Sequence, residues 1–105
     1  MRLRMDTSRT SFTVTRTAVE KTDQNGVQKI DRTTKQPLWV VQLMALDETG
    51  GEMLTVTVAG IPPKLTVGQQ VNPVELEAIP WATNGKNGTA FRASSIVPQG
   101  QVKAA

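Results

Sequence analysis

Cysteine, histidine and tyrosine are all missing from this chain of 105 residues. Without cysteine there are no disulfides and no thiolate metal sites. Without histidine the commonest general base and the commonest transition-metal ligand are gone. Ser-His-Asp and Cys-His nucleophile arrangements are therefore excluded. Carboxylate pairs, lysine nucleophiles and Mg²⁺ held by Asp stay open in principle. Aromatic residues are scarce, with two Trp and two Phe, so the core must come mostly from Val, Leu, Ile, Ala and Met. No apolar run approaches the roughly 18 residues that a membrane helix needs. The first residues, Met1 to Asp6, carry charge with no apolar stretch behind it, unlike a secretory leader. The chain reads as cytoplasmic and membrane-free.

The length suits one domain with a modest core. A net charge of +3 and a pI near 9.7 are compatible with an anionic partner, though many ordinary domains share them. Residues 1–10 read as a flexible basic arm (Arg2, Arg4, Arg9). Residues 11–98 read as one β domain and 99–105 as a flexible tail.

Threonine and valine alternate from residue 11 to 21, which favours a strand. Phe12, Val14 and Ala18 share one face, Thr13, Thr15 and Thr17 the other, and Arg16 interrupts the apolar side. Asp23-Gln24-Asn25-Gly26 is a turn, residues 27–30 read as a short hairpin arm, and residues 31–36 as a polar turn. Residues 38–46 (Leu-Trp-Val-Val-Gln-Leu-Met-Ala-Leu) are apolar on both faces and read as a central strand. A short buried helix is the alternative, disfavoured by adjacent Val residues and the preceding Pro37. A hairpin loop at Asp47 to Gly51 leads to a strand at 52–59, with Leu54, Val56 and Val58 inward. Gly60-Ile61-Pro62-Pro63 ends it, and the link to Gln70 has room for a helical turn at most. A fourth strand spans 71–79, with Val74, Leu76 and Ala78 on one face, Glu75 and Glu77 on the other, and Pro80 as its stop. Residues 81–88 read as a long Gly/Asn-rich hairpin loop before a last strand at 89–97.

The predicted class is all-β: five strands in a closed or nearly closed barrel, with no long helix between strands three and four. Closure would bury the apolar faces and remove the edges. The strand order suits the oligonucleotide/oligosaccharide-binding (OB) barrel; an SH3-like barrel or small β-roll is the rival.

Two stretches carry resemblances. Leu65-Thr66-Val67-Gly68-Gln69-Gln70-Val71 and Gly88-Thr89-Ala90-Phe91-Arg92-Ala93-Ser94-Ser95-Ile96 resemble the back half of OB-fold single-stranded-DNA-binding proteins. The stretch Asp31-Arg32-Thr33-Thr34-Lys35-Gln36-Pro37-Leu38-Trp39-Val40-Val41-Gln42-Leu43-Met44 is similar to small actinobacterial plasmid and integrative-element proteins that activate replication, integration and excision. Gln36 stands where those have Gly, and the charged turn after Leu46 is shorter. The likeness runs over about residues 20–97 at low identity. It implies a mobile-element protein acting near DNA, without deciding whether the protein touches DNA.

Aromatic and basic residues form the candidate site: Trp39, Trp81, Arg16, Arg32, Lys35, Lys86 and Arg92. Single strands are held by bases stacked on rings with cations along the phosphates. Each residue also has a structural reading. Trp39 lies in a doubly apolar strand and Phe91 fits the core. Arg92 fits a solvated strand, and the loop cations serve solubility. Glu75 and Glu77 read as an exposed strand face rather than an acid/base pair. Asp23 to Gly26 lacks the ligand alternation of a Ca²⁺ loop, and Gly50-Gly51 opens no phosphate-binding helix. The expectation is a non-catalytic module without cofactor or metal. Its partner would be single-stranded nucleic acid, DNA before RNA. The alternative is a regulatory module that binds a replication or recombination protein, and self-association stays open.

Overall fold

The computed structural model describes residues 3–60, 62 and 64–99. The predicted arm is described from Leu3 onward, and the predicted tail lies outside the described residues except for Gln99. The described chain is all-β. Its strands are β1 (Leu3–Arg4), β2 (Ser11–Glu20), β3 (Leu38–Asp47), β4 (Gly50–Ala59), β5 (Gln70–Val74), β6 (Glu77–Thr83), β7 (Lys86–Arg92) and β8 (Ser95–Pro98). They make one eight-stranded sheet in the order β1-β6-β7-β4-β3-β2-β5-β8. The expected five-stranded closed barrel is thus replaced by a curled sheet, a half-barrel whose curl brings β8 back beside β4.

The central meander follows the alternation of its sequence. β3 and β4 pair without interruption from Leu38↔Ala59 to Asp47↔Gly50. The two-residue turn between them is held by Asp47, whose Oδ1 accepts the Thr49 amide at 2.8 Å and the Thr49 hydroxyl at 2.6 Å. Paired residues share a face. Val41, Leu43, Leu54, Val56 and Val58 therefore turn inward, where they join Phe12, Val14, Val71, Leu76, Ala93 and Ile96 in the core. Burying these aliphatic faces is the main stabilising contribution.

β2 departs from strict alternation. Its pairing with β3 slips twice, between Val14 and Arg16 and between Arg16 and Val19. Such bulges insert a residue and turn the next side chain over. Arg16 then lies opposite Gln42 on the outer face and is exposed. It does not interrupt the core side.

The expected strand at 71–79 is two strands. Val71 and Pro73 point inward, which would place Glu75 inward next. Glu75 instead adopts φ 54°, a left-handed conformation that advances the alternation by one residue. Leu76 takes the inward place at 1% exposure, and Val74, expected inward, is 36% exposed. The last predicted strand breaks at the same level: Ala93 and Ile96 are both buried although an even strand would put them on opposite faces. The Ser94 amide donates to the Val74 carbonyl at 2.9 Å and ties the two breaks together. Below them β5 pairs with β8; above them β6 pairs with β7.

Pro80 does not stop its strand. It pairs with Thr89 inside β6, a position tolerated where the missing N–H faces a sheet edge. The predicted long loop at 81–88 is therefore a hairpin arm with a two-residue turn. Asn84 at φ 52° and Gly85 at φ 79° supply the two positive values that a tight hairpin requires. Residues 27–30 form no strand, only the isolated bridges Thr22↔Gln28 and Ile30↔Pro37. Leu3 and Arg4, within the expected loose arm, pair with Ala78 and Glu77.

The left-handed residue gives a test. Glu75→Gly, which relieves the strain that any L side chain bears here, should be neutral or raise stability by up to about 1–2 kcal/mol, and the β-branched Glu75→Val should lower it. Urea denaturation would check this; an even strand at 71–79 demands the reverse order.

Candidate nucleic-acid interface

The outer face of the curled sheet gathers some of the predicted residues and rejects others. Pairing of Thr57 with Arg92, Glu77 with Arg92, and Trp81 with Gly88 puts Arg92, Trp81 and Lys86 on the same side as Thr57. Trp81 is 46% exposed. Its indole lies against Gly88, where an added Cβ would come within 2.7 Å of Cζ2. A cross-strand glycine thus provides a flat seat for the half-exposed ring. Gly88 and Arg92 are four residues apart on β7, about 13 Å at strand spacing. Arg16 shares this outer face, three strands from Arg92 and so about 14 Å around the sheet.

Trp39 is not part of that surface. It has the inward alternation of Val41 and Leu43 and is half-buried at the start of β3. Its indole N–H donates to the Gly60 carbonyl at 2.8 Å, which latches the start of β3 to the chain leaving β4. Arg32 and Lys35 are exposed on the loop between β2 and β3. Lys35 takes φ 62° there.

Arg92 is less free than a phosphate ligand should be. Its Nη2 lies 3.1 Å from Asp31 Oδ2, and both side chains are largely shielded. The same carboxylate oxygen accepts the Thr34 hydroxyl at 2.7 Å. The Thr34 hydroxyl first of all holds the Asp31 carboxyl below its ordinary value; burial opposes it, and the Arg92 guanidinium helps to outweigh that opposition. This pair fastens the β2–β3 loop to β7. A cleft of about 460 Å³ beside it is lined by Arg4, Arg92, Glu75 and Glu77 among others, so its charges offset. Arg4 and Glu75 also approach to 3.7 Å, both exposed, a pair of little energetic weight.

Two cations of consequence escaped the reading of the sequence. Lys21 is half-buried, and its Nζ donates to the Thr57 hydroxyl at 3.0 Å. Burial first, then the nearby Lys29 and Arg92, hold its ammonium below its ordinary range. Lys21 directly follows β2 on the outer face, and its position at the strand end was the available signal. Lys29 has no signal in the sequence, because its placement depends on how the loop folds back.

Two outcomes are expected. In a Trp39→Phe background, Gly88→Ala should displace the Trp81 ring and change its fluorescence emission; an unchanged spectrum contradicts the seat. Asp31 has a lowered folded pKa, so its stabilisation is complete above about pH 4 and is lost as pH falls through the folded value. Asp31→Asn should flatten that acid-side slope in urea melts between about pH 5 and pH 2. In comparison with known proteins, no family model, no curated protein and no solved structure matches this chain significantly.

Proposed function

We propose that this protein is a non-catalytic binder of single-stranded DNA that serves a plasmid or other mobile element during replication or transfer. The observation that carries the reading is Trp81, a half-exposed indole seated on Gly88 and sharing one sheet face with the exposed Lys86. Bases stack on such a ring regardless of sequence, and cations on the same face follow the phosphates. Arg16, turned outward by the β2 bulges, extends the cationic surface. The strand pairings support kinship with the OB barrel. β2, β3 and β4 form a meander, β4 takes β7 as a parallel partner, and β2 takes β5 as an antiparallel one. In this reading the fourth and fifth barrel strands are each split, and the β6–β7 hairpin is the loop that closes over ligand. The mobile-element role rests on the resemblance of residues 31–44.

Oligo-dT should quench Trp81 fluorescence at low salt, with affinity falling steeply as salt rises. Trp81→Ala should cost about 1–3 kcal/mol, and Trp39→Phe far less. No quenching at low salt with any oligonucleotide length would overturn the reading in favour of a protein-binding module.

A further inference from the structure

Beside the β2–β3 loop, away from Trp81, lies a cleft of about 530 Å³ lined by Lys21, Lys29, Arg32, Thr33, Asp31 and Leu38, with Ile30 at its rim. Its cations are held by an unusual backbone junction. The Lys21 amide donates to the Leu38 carbonyl at 3.0 Å, the Leu38 amide to the Lys29 carbonyl at 2.9 Å, and the Lys29 amide to the Lys21 carbonyl at 2.7 Å. Three chain segments thus close a ring of hydrogen bonds, and the two lysines leave it at fixed positions. Gln28 reinforces the ring, its Nε2 donating to the Leu38 carbonyl at 2.9 Å. We propose that this cleft is a phosphate-binding site, with Lys21 and Lys29, whose backbone the ring holds, as its main ligands, Arg32 as a third cation and Thr33 as a hydroxyl donor.

The charge pattern favours an anion. The carboxylate in the lining, Asp31, is engaged by Arg92 and Thr34. Among the described residues, no ion pair joins Lys21, Lys29 or Arg32 to a carboxylate. Lys21 is instead satisfied by a neutral hydroxyl, Thr57 Oγ1. A partly buried ammonium with other cations near it and no counter-ion is unfavourable. Its lowered pKa reflects that. A bound phosphate would supply the missing charge, and charge-assisted hydrogen bonds to it are the strong kind. Leu38 is nearly fully buried beneath the lysines, so the floor excludes water from one side and strengthens the attraction.

The ligand chemistry is a phosphate group, either the diester of a nucleic-acid backbone or the monoester of a strand end or free nucleotide. The diester case rests on the DNA-binding reading; the monoester case stands without it. The test is an NMR titration of the full chain that follows the Lys21 and Lys29 side chains. Inorganic phosphate, with chloride at equal ionic strength as control, should give a saturable shift and raise the Lys21 pKa. Lys29→Gln should weaken binding by about tenfold or more; Lys64→Gln, outside the cleft, should not. An oligo-dT lacking terminal phosphate that shifts Lys21 assigns the site to diesters. A response only to 5′-phosphorylated oligo-dT or nucleotide assigns it to monoesters. Trp81 fluorescence, read in the same samples, separates the two readings. Phosphate binding at Lys21 without quenching by any oligomer keeps the cleft and rejects DNA binding on the sheet. The absence of a saturable response at Lys21, or a response undiminished in Lys29→Gln, overturns the site.

Discussion

Two coupled breaks in alternation decide how this sheet is built. At Glu75 the backbone goes left-handed, and between Ala93 and Ser95 the partner segment shifts phase at the same level. A regular strand through residue 75 would drive a carboxylate into an aliphatic core, a cost of several kcal/mol unless it were paired or protonated. One residue of backbone strain, about 1–2 kcal/mol, avoids it and places Leu76 in the core instead. The break has a topological effect as well. It lets one chain segment contribute β5 to one side of the curl and β6 to the other, and the hairpin that carries Trp81 projects from the second.

The meander was legible because its alternation is regular and its partners are adjacent in sequence. Phe12, Val14, Val41, Leu43, Leu54, Val56 and Val58 are all core residues, as the period-two reading of β2 to β4 requires. What failed was phase. A strict period cannot register bulges, so it puts Arg16 on the core face, whereas the two slips turn it outward. It also cannot anticipate that Glu75 resets the count, so Val74 was turned inward. Pro80 reads as a terminator because a proline lacks a donor, yet that matters only on the side where a neighbour needs one. Asn84-Gly85 carries the same turn signal as Asn25-Gly26, but the Gly and Asn around it spread that signal over a longer loop.

The candidate site divides along the same line. Trp81, Lys86 and Arg92 share a face because the β6–β7 register places them there. Trp39 belongs to the frame, and the alternation it shares with Val41 was the clue. Lys21 shows in the sequence only as a cation at a strand end, and Lys29 not at all, because non-local bonds position them. Lys21 binds Thr57, 36 residues away, and Lys29 is fixed only once the loop returns to Leu38. The loop therefore has two electrostatic halves. On the β7 side, Asp31 pairs with Arg92; on the other, neither lysine forms an ion pair among the described residues.

Pro80 has a further consequence for life in a concentrated solution. Beyond Ala78 the outer margin of β6 is uncovered among the described residues, and bare strand margins invite like molecules to stitch together. A ring nitrogen in the middle of that margin removes a donor from the row that such stitching would use. The arm that presents the indole can stand clear of the body without becoming a nucleus for fibres.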